Sequence, residues 1–134
     1  MQDRVDQHIN DRPSHWTTIE EPLALADCLT AHAAENKIIL VDCLTLWTNN
    51  LLMQEDSDLL QTEVTKLHAI LPTLPGTIIF VSNEVGMGIV PMGELSRHFV
   101  DEAGRLHQQL GKVADHVLFM VAGLALAVKG RKPF

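Results

Sequence analysis

Apolar positions follow two different spacings along this chain, and the switches between them mark its elements. Lys37-Ile38-Ile39-Leu40-Val41-Asp42, Thr77 to Val81 and Val117-Leu118-Phe119-Met120-Val121 are short runs rich in β-branched and aromatic residues, without polar alternation. Such runs suit parallel strands covered on both faces. Between them, apolar residues recur at near-helical spacing: Leu25, Leu29 and Ala33; Leu44, Trp47 and Leu51; Leu60, Val64, Leu67 and Leu71; Leu95, Phe99, Ala103, Leu106 and Leu110. Each set predicts an amphipathic helix. Pro22 fits the first turn of the first helix, Glu20 and Glu21 suit its dipole, and Asn36 is expected to end it. Ser57 can cap the third helix, Pro72 and Pro75 close it, and Gly111 is the expected stop of the fourth. Residues 2–10 read as the last turns of a helix, Thr17 to Glu20 as a short strand, and Leu124 to Val128 as an edge strand.

Strand and helix in alternation imply right-handed crossovers and a parallel sheet, hence an α/β fold. Residues 1–134 are expected to form one domain, because the length supports a single core and there are no repeats or linkers. Open parallel sheets bind ligands where their strands end. Asp42 stands at one such end, a pattern that can hold Mg²⁺ beside a nucleotide and that also serves ordinary capping. Asn83 and Glu84 follow a second strand. Gly86 and Gly88 would let backbone amides approach a ligand closely, although a turn with a helix cap explains the same residues.

Composition narrows the class. A formal charge of −7 and a pI near 5.3 argue against a general nucleic-acid binder. No apolar stretch reaches membrane-spanning length, and the first residues lack the apolar core of a signal peptide, so a cytoplasmic protein is expected. Cys28 and Cys43 lack metal-ligand spacing and are read as reduced thiols. The seven histidines are scattered, with no HExxH pair.

The blocks Arg4 to Pro13, Trp16 to Pro22, Val41 to Trp47 with Asn49 to Leu52, Val81 to Pro91, and Ala103 to Leu106 together resemble, in order, the bifunctional adenosylcobinamide kinase / adenosylcobinamide-phosphate guanylyltransferase family of cobalamin biosynthesis. The resemblance covers nearly the whole chain, and Asn83-Glu84-Val85-Gly86-Met87-Gly88-Ile89-Val90-Pro91 is its most distinctive part. It implies a three-layer, mostly parallel sheet of the P-loop NTPase type. It also implies an enzyme that phosphorylates adenosylcobinamide and then moves GMP from GTP onto that phosphate through a guanylylated histidine, which here is His8. A neutral imidazole nitrogen can act as such a nucleophile near pH 7, given an ordinary pKa of about 6.5.

The same resemblance implies that Ile9, Asn10, Asp11 and Arg12, with Glu20 and Asp42, line the nucleotide. GTP, or ATP as an alternative phosphate donor, would bind with Mg²⁺ at Asp42. Asn83, Glu84, Gly86, Gly88 and Arg105 would line the substrate site, although Arg105 reads equally well as a salt-bridge partner on its helix. Adenosylcobinamide or its phosphate would be the second substrate, and the assembly a homotrimer with sites at subunit contacts.

One departure is plain. The 134 residues contain no Gly-x-x-x-x-Gly-Lys-Ser/Thr loop; the single Gly-Lys pair, Gly111-Lys112, is followed by Val113. The expectation is therefore a fold truncated at its N-terminus, with weak catalysis. The alternative is a non-catalytic association module that oligomerises or completes another chain. A generic α/β enzyme using Asp42 and Glu84 ranks last, because the sequence lacks a nucleophile elbow.

Overall fold

The computed structural model describes residues 6–7, 10–89 and 91–133. Residues 6–7 and 10–11 are helical, in keeping with the expected helix end. Beyond them the order is α1 (Leu25–His32), β1 (Ile38–Asp42), α2 (Leu44–Leu52), α3 (Leu59–Ile70), a 3₁₀ turn (Leu71–Thr73), β2 (Thr77–Val81), α4 (Glu94–Val113), β3 (Val117–Val121) and β4 (Leu124–Lys129). β1 and β2 pair in parallel with Ile38 opposite Thr77 and Asp42 opposite Val81.

The apolar stripes do meet in one core. Leu25 and Leu29 of α1, Leu44, Trp47 and Leu51 of α2, Leu60, Val64 and Leu67 of α3, and Leu106 and Leu110 of α4 form a single buried cluster. Ile39, Val41, Ile78 and Phe80 pack against it from the parallel pair. Alternation along the strands then sends their neighbours to the other face. Ile38 is 72% exposed there, and Leu40, Ile79 and Val81 are exposed beside it. The expectation of strands covered on both faces therefore fails among the described residues: one face is packed by helices and the other is open.

The third strand also differs. β3 pairs antiparallel with β4 as a separate hairpin instead of extending the parallel pair. Its turn, Ala122-Gly123, has φ of 51° and 76°, the two left-handed residues that a tight hairpin with a type I′ turn needs. Thr17 to Glu20 is not a strand, because no ladder partner meets it among the described residues.

Helix ends are set by local geometry that periodicity does not encode. α1 stops at His32, where Ala33 turns extended, short of Asn36. α3 begins with Asp58 at its N-cap, not Ser57; the Asp56 carboxylate accepts the Asp58 N–H at 2.9 Å in the turn before it. α4 runs through Gly111 to Val113. There Lys129, arriving from β4, donates its ammonium to the carbonyls of Gly111 and Lys112 at 2.9 Å each. A cation on the last carbonyls satisfies the orphan acceptors of a helix end. Gly76 is required where β2 begins: its φ is +78°, and a Cβ would lie 2.2 Å from the Ala34 carbonyl oxygen.

Candidate active site

The site begins at the last rung of the parallel pair. Because Asp42 pairs with Val81, the two chains leave the same carboxyl edge together. Asp42 is exposed there, and Ser82, Asn83 and Glu84 continue from the other strand. α2 starts two residues after Asp42, which brings Thr45, in its first turn, beside them. Thr45 Oγ1 accepts the Asn83 N–H at 2.8 Å and lies 3.4 Å from Ser82 Oγ.

α4 reaches the same edge through His107. Its Nε2 lies 2.6 Å from Ser82 Oγ, and its Nδ1 lies 3.9 Å from Glu84 Oε2. The other carboxylate oxygen of Glu84 accepts the Gly86 N–H at 2.6 Å, which folds the loop back on itself. A Cβ at Gly86 would approach that oxygen to 3.0 Å, so a side chain there would require the Glu84 carboxylate to shift by a small amount. At Gly88 a Cβ would meet nothing within 4 Å, and packing does not account for glycine there. Met87 and Ile89 beside it are 77% and 98% exposed.

A second group of expected residues precedes α1. Arg12 donates from Nη1 to Thr18 Oγ1 at 3.1 Å, tying the two ends of an irregular segment. α2 anchors the end of this segment: Trp47 Nε1 donates to the Leu23 carbonyl at 2.8 Å and Asn50 Nδ2 to the Pro22 carbonyl at 3.3 Å. Glu21 receives the N–H groups of Leu23 and Ala24 and so serves the start of α1. Glu20, with Asn10 and Asp11, is exposed. α2 thus touches both groups, Thr45 meeting the strand edge while Trp47 and Asn50 hold the segment that carries Glu20.

Asp42, Asn83, Glu84 and Gly86 are gathered at one edge, as expected. Arg105 is not: it pairs with Glu102 one turn earlier on α4, and it stands two residues, about 200° of helix, from His107. His8 and Ile9 lie outside the described residues. No group of three or more metal-ligating side chains occurs among the described residues. Asp42 still fits Mg²⁺, which often takes one or two carboxylates and completes its shell with water and substrate phosphates. No helix among the described residues is long and apolar enough to cross a membrane.

Comparison with known proteins decides the family. The description "Cobinamide kinase / cobinamide phosphate guanyltransferase" matches residues 1–128. The chain belongs to this family. Relatives include the bifunctional adenosylcobalamin biosynthesis protein CobP of Pseudomonas aeruginosa, 52% identical over 127 residues that cover 95% of this chain and 73% of the relative. The proteins named CobU from Escherichia coli and Salmonella typhimurium are 34% and 36% identical, each alignment covering 96% of this chain and 78% of the relative. The family is one of enzymes, and its substrates are a cobinamide and a nucleotide.

Within this family member, the sequence did not show that Thr45, Ser82 and His107 meet at the edge that carries Asn83 and Glu84. Ser82 and His107 are 25 positions apart and fit no short motif. The available signal was Ser82 directly preceding the Asn83-Glu84 pair, with a histidine on the buried side of the following helix.

Proposed function

We propose that this chain transfers GMP from GTP to adenosylcobinamide phosphate through a covalent intermediate on His8, and that it shares the kinase step of its family. One imidazole nitrogen of His8 attacks the α-phosphorus of GTP; the N–P bond forms as the bond to pyrophosphate breaks. A phosphate oxygen of the corrinoid then attacks the same phosphorus, the N–P bond breaks, and the imidazole is regenerated. In the kinase step, the aminopropanol hydroxyl oxygen of adenosylcobinamide attacks the γ-phosphorus of GTP or ATP; the new O–P bond forms as the bond to the nucleoside diphosphate breaks, and the hydroxyl proton is released.

The observation that carries this reading is the family match itself, which spans His8, Asp42 and the Asn83 to Gly88 loop in one stretch of residues 1–128. The strand-edge geometry supports it. Asp42 offers a carboxylate for Mg²⁺, which when bound neutralises phosphate charge. Arg12, a planar donor fork, suits a phosphate, and Ile9, Asn10, Asp11 and Glu20 complete the nucleotide side. Asn83, Glu84, Gly86 and Gly88 form the substrate side, with Arg105 assigned to its helix pairing unless substrate recruits it.

The open apolar face of Ile38, Leu40, Ile79 and Val81 is consistent with the three-layer P-loop arrangement and with a homotrimer. Both belong to this reading, as does a cytoplasmic setting in which Cys28 and Cys43 remain free thiols. That same face also favours a second reading, a non-catalytic module that associates through it. Light scattering separates monomer from trimer. Incubation with GTP labelled at the α-phosphate or at the γ-phosphate tests the chemistry: acid-labile protein label from the α position alone supports GMP transfer. A folded, associated sample that takes up neither label favours the second reading.

A further inference from the structure

We propose that His107 is a positioning residue for the Asn83 to Gly88 loop, held as its Nδ1–H tautomer between the Ser82 hydroxyl and the Glu84 carboxylate. The chain of hydrogen bonds starts at a group that can only donate. The Asn83 N–H gives its proton to Thr45 Oγ1 at 2.8 Å. The Thr45 hydroxyl then has its own proton to give, and Ser82 Oγ lies 3.4 Å away. Ser82 Oγ lies 2.6 Å from His107 Nε2, where its hydroxyl can donate to a bare ring nitrogen. With Nε2 accepting, the neutral ring carries its proton on Nδ1. Nδ1 faces the Glu84 carboxylate at 3.9 Å, a separation that a slight closure or a bridging water spans.

In the reversed order Thr45 would accept from both Asn83 and Ser82, and the bare Nδ1 lone pair would face the Glu84 carboxylate at 3.9 Å, acceptor against acceptor; the Nδ1–H form puts a donor there instead. One imidazole therefore fixes the residue before Asn83 and the residue after it, while Glu84 also holds the Gly86 N–H. The segment has no helix or strand of its own, so these side chains replace the ladder that would otherwise set its path. Past Gly86 such ties give way to an open tip, where Met87 and Ile89 are largely exposed. His107 thus sets the base from which that tip meets a ligand. The importance of the loop in GMP transfer rests on the function proposed above; the hydrogen-bond direction does not.

The test reads the imidazole nitrogens of His107 by ¹⁵N NMR and the amide exchange of residues 83–86 in the full chain. Wild type should show the proton on Nδ1 and an accepting Nε2. His107→Ala and Ser82→Ala should each speed exchange of the Asn83 amide by about tenfold, the scale of one net hydrogen bond. The double variant should add little to either, since the two residues act in one chain. His107→Gln, whose amide oxygen can reach the place of Nε2, should restore protection to within about threefold of wild type. An Nε2–H tautomer in wild type overturns the proposal even if no variant folds, and so does unchanged exchange in a folded His107→Ala or Ser82→Ala. Assaying the same samples with α-labelled GTP keeps the two readings apart. A wild type that takes up no label but shows the tautomer and the exchange pattern defeats the catalytic reading alone. Labelling with undisturbed exchange in the variants defeats only the positioning role.

Discussion

Asp42 and Val81 face each other on the last rung of the parallel pair, so one strand ends in a carboxylate where the other runs into Ser82, Asn83 and Glu84. If Asp42 serves Mg²⁺ and nucleotide, its carboxylate matters to ligand and little to the fold, because it is exposed. Asp42→Asn is expected to slow GMP transfer by about tenfold or more, in line with the loss of a metal-binding charge. Its melting temperature should stay close to wild type. Labelling rate and thermal unfolding measured on one preparation check both halves.

Leu67 tests the core. It is fully buried, at 0% exposure, where the stripe of α3 meets the other helices. Leu67→Ala should lower stability by about 2–5 kcal/mol, the usual cost of removing a buried leucine side chain and leaving a cavity. Urea unfolding followed by circular dichroism reads the change, and a loss well under 1 kcal/mol would mean that α3 is less tightly packed than described.

Trp47 links the core to the segment that carries Glu20. Trp47→Phe keeps most of the apolar volume but removes the indole N–H that the Leu23 carbonyl accepts at 2.8 Å. The expected cost is about 1 kcal/mol, the net value of a typical hydrogen bond. Limited proteolysis should show the chain between Arg12 and Pro22 opening before the rest, since the α2 anchor at Leu23 is gone and only the Asn50 contact remains at Pro22.

Cys28 carries a pH dependence. Burial, followed by the nearby Glu21 carboxylate, raises its thiol above the ordinary value of 9.0. The folded chain thus resists forming the thiolate more than the unfolded chain does. The sign follows from linkage: below the ordinary thiol range both states are protonated and nothing is lost. As pH rises through 9.0 and toward the folded value, the unfolded chain ionises first and stability falls. Peptide-resolved alkylation should find Cys28 slower in the native protein than in urea at pH 8 to 9.

Much of the fold was legible because burial writes itself into spacing. The β-branched runs mark β1 and β2, and the leucine stripes of α2, α3 and the second half of α4 are the residues that fill the core. What failed depended on partners distant in sequence. Gly111 did not stop α4, because Lys129 supplies the end from 17 to 18 residues away. The apolar run of β3 carries no information on its neighbour, and the short Ala122-Gly123 turn commits it to β4. The α4 stripe overestimated burial at its start, where Leu95 is 57% exposed. Asp42, Asn83 and Glu84 could be placed at one sheet edge because strand ends are visible in sequence. The Ser82 to His107 contact could not, since only the packing of α4 against the strand edge creates it.

The proposed chemistry turns on His8 taking GMP from GTP. The most direct measurement is tandem mass spectrometry of the intact chain after incubation with GTP and Mg²⁺, with neutral to alkaline handling to preserve a phosphoramidate. The account predicts one GMP adduct, located on His8, lost in acid, and discharged when adenosylcobinamide phosphate is added. A GMP adduct on any other residue, or a folded and nucleotide-bound chain that never forms one, would contradict it.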